Sequence, residues 1–248
     1  MREAATTTGA TPVLSCDGPA MRTSLIFLLL PLAAGCGSGS PAKDAADPAD
    51  SDTPASTFSF FITSAGSPSG GDFRRTLADT DGLVGADEFC QAKAVAAVPT
   101  SANRQWRAYL STDTVNAKDR IGTGPWFNRN GVMIAASVAA LHDPAMNLIS
   151  KTTGLDETGA TVPGFGEMPN QHDILTGSTA AGVSSGNHCA NWTSSVETGN
   201  GAQVGHFDRM GGGTDPMSWS AAHVSRGCST AAFMMTGGRG SLYCFAAD

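Results

Sequence analysis

Apolar residues in this chain come in short bursts, and only one stretch repeats with helical spacing. Between Val84 and Ala97 the positions Ala86, Cys90, Ala94 and Ala97 share one face, joined by Phe89 and Ala96. Asp81 or Gly82 marks the start of this helix and Pro99 lies just past its end. The run Phe58–Thr63 is β-prone and is followed by a Gly/Ser/Pro loop from Ser64 to Gly71. Trp106–Ser111 alternates as a strand does. Trp126-Phe127 and Val132-Met133-Ile134 flank Asn128-Arg129-Asn130-Gly131, which predicts a hairpin around an Asn-Gly turn.

Beyond Gly154 the texture changes. Ile174-Leu175-Thr176, Asn191-Trp192-Thr193, His206-Phe207, Trp219 and Leu242-Tyr243-Cys244-Phe245 stand as short strands or loop anchors between Gly, Ser, Thr and Asn. With 30 glycines in the chain, many turns need positive φ. The expected fold class is therefore α+β, with one main helix early and irregular β-structure late. No internal repeat is visible.

The first part of the chain reads differently. Leu25 to Gly35 is an apolar run preceded by Arg22 and followed by Cys36, as in a signal peptide. Leu32-Ala33-Ala34-Gly35-Cys36 resembles a bacterial lipobox, so Cys36 is the expected site of lipidation and of attachment to a membrane. Gly37 after it favours sorting to the outer membrane. Residues 21–35 are then the signal. Residues 1–20, with Arg2 offset by Glu3 and Asp17, read as an upstream mis-start absent from the mature protein, Cys16 included. Residues 36–57 hold Pro, Ala, Ser and four aspartates with no large apolar side chain, which predicts a disordered acidic tether. The folded domain is expected over 58–248.

Composition narrows the function. With 15 Lys+Arg against 22 Asp+Glu the formal charge is −7, which argues against nucleic acid as a partner. No stretch approaches the roughly 20 apolar residues that span a bilayer. Cys90, Cys189, Cys228 and Cys244 remain in the exported domain. Four such cysteines most simply make two disulfides, with three connectivities open. The nested pairing, Cys90 with Cys244 and Cys189 with Cys228, would tie the early helix to the last strand and clip the glycine-rich loop. No C-x-x-C is present and the histidines lack metal-ligand spacing, so no metal or cofactor is expected.

Gly85-Ala86-Asp87-Glu88-Phe89-Cys90-Gln91-Ala92-Lys93-Ala94 and Trp106-Arg107-Ala108-Tyr109-Leu110-Ser111 belong to an ordered set of motifs. It continues with Leu175-Thr176-Gly177-Ser178, Cys189-Ala190-Asn191-Trp192-Thr193-Ser194, Gly227-Cys228-Ser229 and Leu242-Tyr243-Cys244-Phe245. Together these resemble the bacterial endostatin-like outer-membrane lipoprotein domain and, more distantly, endostatin. The resemblance spans most of 58–248. It implies a C-type-lectin-like fold, the nested disulfides, and a non-enzymatic module that binds extracellular-matrix or plasma proteins.

Several family features have no counterpart. Endostatin holds zinc through histidines near its N-terminus, whereas this domain has none before His142. Arg74-Arg75 and Arg104/Arg107 are the only dense basic pairs, which argues against heparin binding. Glu167-Met168-Pro169-Asn170 carries one residue more than the calcium-binding tripeptide of C-type lectins, and Trp192 is followed by Thr193-Ser194 rather than by calcium ligands.

The other candidate chemistry is sparse. His142, His172, His188, His206 and His223 form no recognisable triad or zinc motif and read as solvent-facing or turn histidines. Gly211-Gly212-Gly213 lacks the Lys-Ser/Thr of a phosphate loop and reads as a flexible loop. Asn191-Trp192-Thr193 matches a glycosylation sequon, but its place in a family strand makes Trp192 a core residue. Trp106 likewise sits in a strand pattern. Trp126 and Trp219 are flanked by turn residues and are the candidate ligand contacts. The expected function is a lipid-anchored bacterial surface protein that binds an extracellular protein or polysaccharide without catalysis. The alternatives are a structural envelope lipoprotein and a secreted hydrolase.

Overall fold

The structure, a computed structural model, describes residues 57–248. The expectations for the upstream mis-start, the signal, Cys36 and the tether as far as residue 56 lie outside the described residues.

A single long strand organises the domain. The chain runs through β1 (Phe60–Ile62), α1 (Leu83–Ala97), β2 (Trp106–Ala108), β3 (Trp126–Phe127), β4 (Met133–Ala135) and α2 (Val138–His142). It continues with β5 (Asp173–Leu175), β6 (Gln203–His206), β7 (His223–Val224), α3 (Thr230–Met234) and β8 (Gly238–Ala246). The C-terminal half of β8 pairs antiparallel with β1 and β2, with Phe61 and Ala108 both opposite Cys244. Its N-terminal half pairs parallel with β5, and the sheet extends through β6 to β7. Strands β3 and β4 form a separate two-stranded hairpin. The domain is mixed α/β with few helices.

The unbroken apolar run in β8 follows from burial on both faces. Leu242, Cys244 and Ala246 enter one core cluster together with Ala86, Cys90 and Ala94 of α1. Tyr243 and Phe245 enter the other, with Trp126, Ile134, Leu141 and Trp219. Period-two alternation thus splits one strand between two cores. The small residues of the α1 stripe let the helix lie close to the sheet, and Cys90 and Cys244 are bridged at a Cα separation of 5.6 Å. The helix ends where Val98 turns extended before Pro99.

Both disulfides are those of the nested pairing, Cys90–Cys244 and Cys189–Cys228. They close sequence separations of 154 and 39 residues. On loop-closure entropy they contribute at most about 5 and about 4 kcal/mol.

Of two local expectations, one holds and one changes on folding. The hairpin turn is present, with Asn128 Oδ1 accepting from the amides of Asn130 and Val132 and Gly131 at φ +74°. Asn191-Trp192, in contrast, is no strand. Cys189, Ala190, Asn191 and Trp192 all have φ between 50° and 63°, a left-handed turn built without glycine. Such a turn costs about 1–2 kcal/mol per residue. It is held by the Cys189 bridge, by His188 Nδ1 accepting from Asn191 N–H, and by the Trp192 indole donating to Ser111 O at 2.7 Å. Among the described residues no helix is long and apolar enough to cross a membrane.

Candidate functional site

The sheet edge formed by β5, β6 and β7 gathers the chemistry. Asp173 begins β5 and stands opposite His206, the last residue of β6. His223 on β7 stands opposite Val204, two residues before His206, so period two brings it to the same face. His172 immediately precedes Asp173. Register thus brings His206 and His223 to the Asp173 carboxylate, and His172, just before β5, turns in beside them.

Distances make this convergence specific. Asp173 Oδ1 lies 3.2 Å from His172 Nε2, 3.2 Å from His206 Nε2 and 3.4 Å from His223 Nε2. The rings of His172 and His206 stack with centroids 4.0 Å apart, and His223 stands edge-on to His206. His172, Asp173 and His206 are 3%, 2% and 0% exposed. None of the Asp173 contacts is a well-formed hydrogen bond: both its carboxylate oxygens and His206 Nε2 are buried without a hydrogen-bond partner.

The outer ring nitrogens are all committed. His172 Nδ1 lies 3.1 Å from Asp208 Oδ1, His206 Nδ1 lies 3.1 Å from Pro216 O, and His223 Nδ1 lies 3.3 Å from Val224 O. Carbonyl and carboxylate oxygens only accept, so each Nδ1 carries a proton and donates it. Asp208 is itself fixed by the amides of Phe165 and Met210.

Electrostatics follow from this arrangement. Burial raises the Asp173 pKa, but His206, His223 and His172 beside it outweigh burial and hold it below the ordinary carboxylate value. Asp208 behaves likewise: burial opposes ionisation, while His172 and the two amides favour it more. Asp173 raises the His223 pKa above the usual imidazole value, against a smaller effect of burial.

Backbone packs tightly around the cluster. Gly211, Gly213 and Gly237 have φ of +99°, +131° and +109°. A Cβ on Gly211 would come within 2.8 Å of the His172 ring, and one on Gly213 within 3.1 Å of the His223 ring. One on Gly237 would meet Asn170 at 2.7 Å and His172 at 3.1 Å. The triple-glycine run is thus a wall of this cluster rather than a free loop.

The candidate ligand contacts lie elsewhere. Trp126 and Trp219 are 1% and 4% exposed, so neither offers a ring face to a ligand. Trp126 sits edge-on to Phe245 and donates from Nε1 to Ala246 O. Trp219 packs between Tyr109 and Tyr243. Their turn-rich neighbours suggested the surface, but the second core closes over both. Trp106 and Trp192 are core residues as expected, at 2% and 0% exposed.

The reading of the histidines as solvent-facing or turn residues is corrected for His172 and His206, both buried in the sheet cluster, while His188, also buried, braces the turn at Asn191. No spacing rule links positions 172, 206 and 223, because they meet through strand register. Glu167 binds Lys151 Nζ and the Gly164 amide, and Asn170 Oδ1 accepts from the His172 amide, so this loop uses its own oxygens. The chain matches no family model and no curated protein.

Proposed function

We propose that residues 58–248 form a C-type-lectin-like, endostatin-like domain, held at the outer membrane by lipid on Cys36, that binds an extracellular protein or polysaccharide without catalysis. The observation that supports binding is the set of exposed apolar side chains on the segments enclosing the histidine cluster. Phe165, whose ring packs tilted against His172, is half exposed. Met168, Met210, Met217 and Met235 are exposed as well. Each lies within two residues of a group that touches the cluster or its wall: Asn170, Gly211, Pro216 and Gly237. Methionine adapts its shape to a partner, and neighbouring exposed apolar groups mark interaction surfaces. The nested disulfides and the early helix packed on the last strand support the fold reading.

Hydrolysis has less support. Among the described residues, no hydrogen bond of His172, His206 or His223 reaches a serine, threonine or cysteine that could act as nucleophile.

The test compares the oxidised protein with its Met168→Ser/Met210→Ser/Met217→Ser variant on purified extracellular-matrix and plasma proteins and on a glycan array. Saturable binding that the variant loses, with an unchanged melting temperature, is expected. Absence of binding to every probe, or equal binding by a folded variant, would refute this reading.

A further inference from the structure

We infer that His172, Asp173 and His206, with His223 beside Asp173, form a buried site for one divalent transition metal of the zinc class. The inference stands apart from the ligand-binding reading, because it rests on the proton inventory of the cluster. A neutral imidazole has one N–H, and in all three rings that N–H is engaged at Nδ1 by an oxygen that only accepts. In the neutral state each Nε2 therefore presents a lone pair. All three face Asp173 Oδ1, which also offers only lone pairs.

Four acceptors at 3.2–3.4 Å repel one another unless something positive lies among them. The absence of any hydrogen-bond partner for both Asp173 oxygens and for His206 Nε2, all buried, is the same fact seen from the carboxylate side. Either extra protons or a metal ion must supply the charge. A proton on His223, which lies outside the stack, would pair that ring with Asp173 but leave His172 and His206, whose rings stack with centroids 4.0 Å apart, unsatisfied. A metal held by His172, Asp173 and His206 satisfies the buried lone pairs together, with His223 facing Asp173 at the edge.

The dimensions suit zinc. Four ligands each about 2.0–2.1 Å from a tetrahedral ion lie about 3.3–3.4 Å from one another. The three separations from Asp173 Oδ1 match that edge length. The ligand atoms of His172, Asp173 and His206 lie within 4.8 Å of one another, while His223 lies outside that group and touches only its Asp173. Two imidazoles and one carboxylate exclude calcium, which takes six to eight oxygens.

The surroundings have the form of a supporting shell. Asp208 orients His172 through Nδ1, and the Pro216 and Val224 carbonyls orient His206 and His223. Metal-bound histidines are held in this way, with the second nitrogen donating to a carboxylate or a carbonyl. The close glycine backbone at 211, 213 and 237 leaves no room for a side chain against the rings. Burial of His172, Asp173 and His206 makes the site structural, with His223 at its edge.

The test uses the untagged full chain, with disulfides oxidised and stripped with EDTA. Zinc chloride is titrated in, with bound metal measured after gel filtration and the melting temperature recorded. One zinc per chain, a rise in melting temperature and no response to calcium are expected. Asp208→Asn should weaken zinc affinity about 10–100-fold. His223→Gln, at the partly exposed edge, should fold and also bind more weakly. A natively folded wild-type chain that retains no zinc at micromolar concentration would overturn the inference. Affinity unchanged in both folded variants would overturn it too, by placing the metal elsewhere.

Discussion

Asp87 and Arg120 meet at 2.8 Å although 33 residues separate them. The Asp87 carboxylate, buried on α1, also takes Arg107 at 2.6 Å and the backbone N–H of Ala108 at 2.9 Å. Arg120 in turn donates to Ala108 O. One carboxylate thus clamps the helix to β2. Burial pulls the Arg120 pKa below its ordinary value, with Asp87 opposing that effect. Asp87→Ala leaves Arg120 buried without its counter-charge and should cost about 3–5 kcal/mol in urea unfolding. Arg107 is more than a third exposed, and Arg107→Gln should cost about 1 kcal/mol or less. Equal losses in the two variants would show that Arg120 is not the partner that matters.

The left-handed turn makes the opposite sign accessible. Ala190 is exposed with φ 53° and ψ 55°, a conformation glycine adopts without steric cost. Relief of about 1–2 kcal/mol of strain exceeds the roughly 0.5–1 kcal/mol of added chain entropy. Ala190→Gly should therefore leave stability unchanged or raise it by up to about 1 kcal/mol. A clear fall in the melting temperature would mean that the turn is not strained at this residue.

Trp126 and Trp219 are structural. Each Trp→Ala change should cost about 3–5 kcal/mol by removing a large side chain from the second core. The measurement is the denaturation midpoint, with ligand binding per folded molecule unchanged. Loss of binding at full stability would return these residues to the surface.

His142 imposes a pH dependence. Its Nδ1 donates to Val138 O, and its Nε2 takes the Tyr109 hydroxyl proton at 2.7 Å, an arrangement that fits the neutral ring. Burial lowers its pKa below 6.5, the Val138 carbonyl opposing and Lys118 assisting. The unfolded chain then binds the proton more readily than the folded one. Stability from this residue is complete above pH 6.5 and falls as pH drops from there towards the folded pKa. His142→Gln should flatten the decline in melting temperature between about pH 7 and pH 5. Parallel pH profiles for the two proteins would rule this out.

Much of the scaffold is legible along the chain, because it depends on local periodicity. The alanine and cysteine stripe of α1 and the Asn-Gly hairpin are properties of neighbouring residues. So is the unbroken apolar run of β8, whose side chains can be buried only between two cores. The count and placement of the cysteines limited the bridges to three pairings, and the resemblance singled out the nested one that the fold contains. Turn composition was a poor guide at Trp126 and Trp219, since exposure is a property of whatever packs over a residue.

The histidine cluster marks the boundary between the two kinds of information. By itself the sequence determined an acidic, mixed α/β domain tied by two disulfides, because charge, periodicity and cysteine number are carried by the chain directly. Only the tertiary structure decided that His172, Asp173, His206 and His223 share one site. Their meeting depends on the pairing of β5 with β6 and of β6 with β7, and a one-residue slip in either register would turn a side chain to the opposite face. Such registers are set by the whole sheet and its two cores, and no local spacing encodes them.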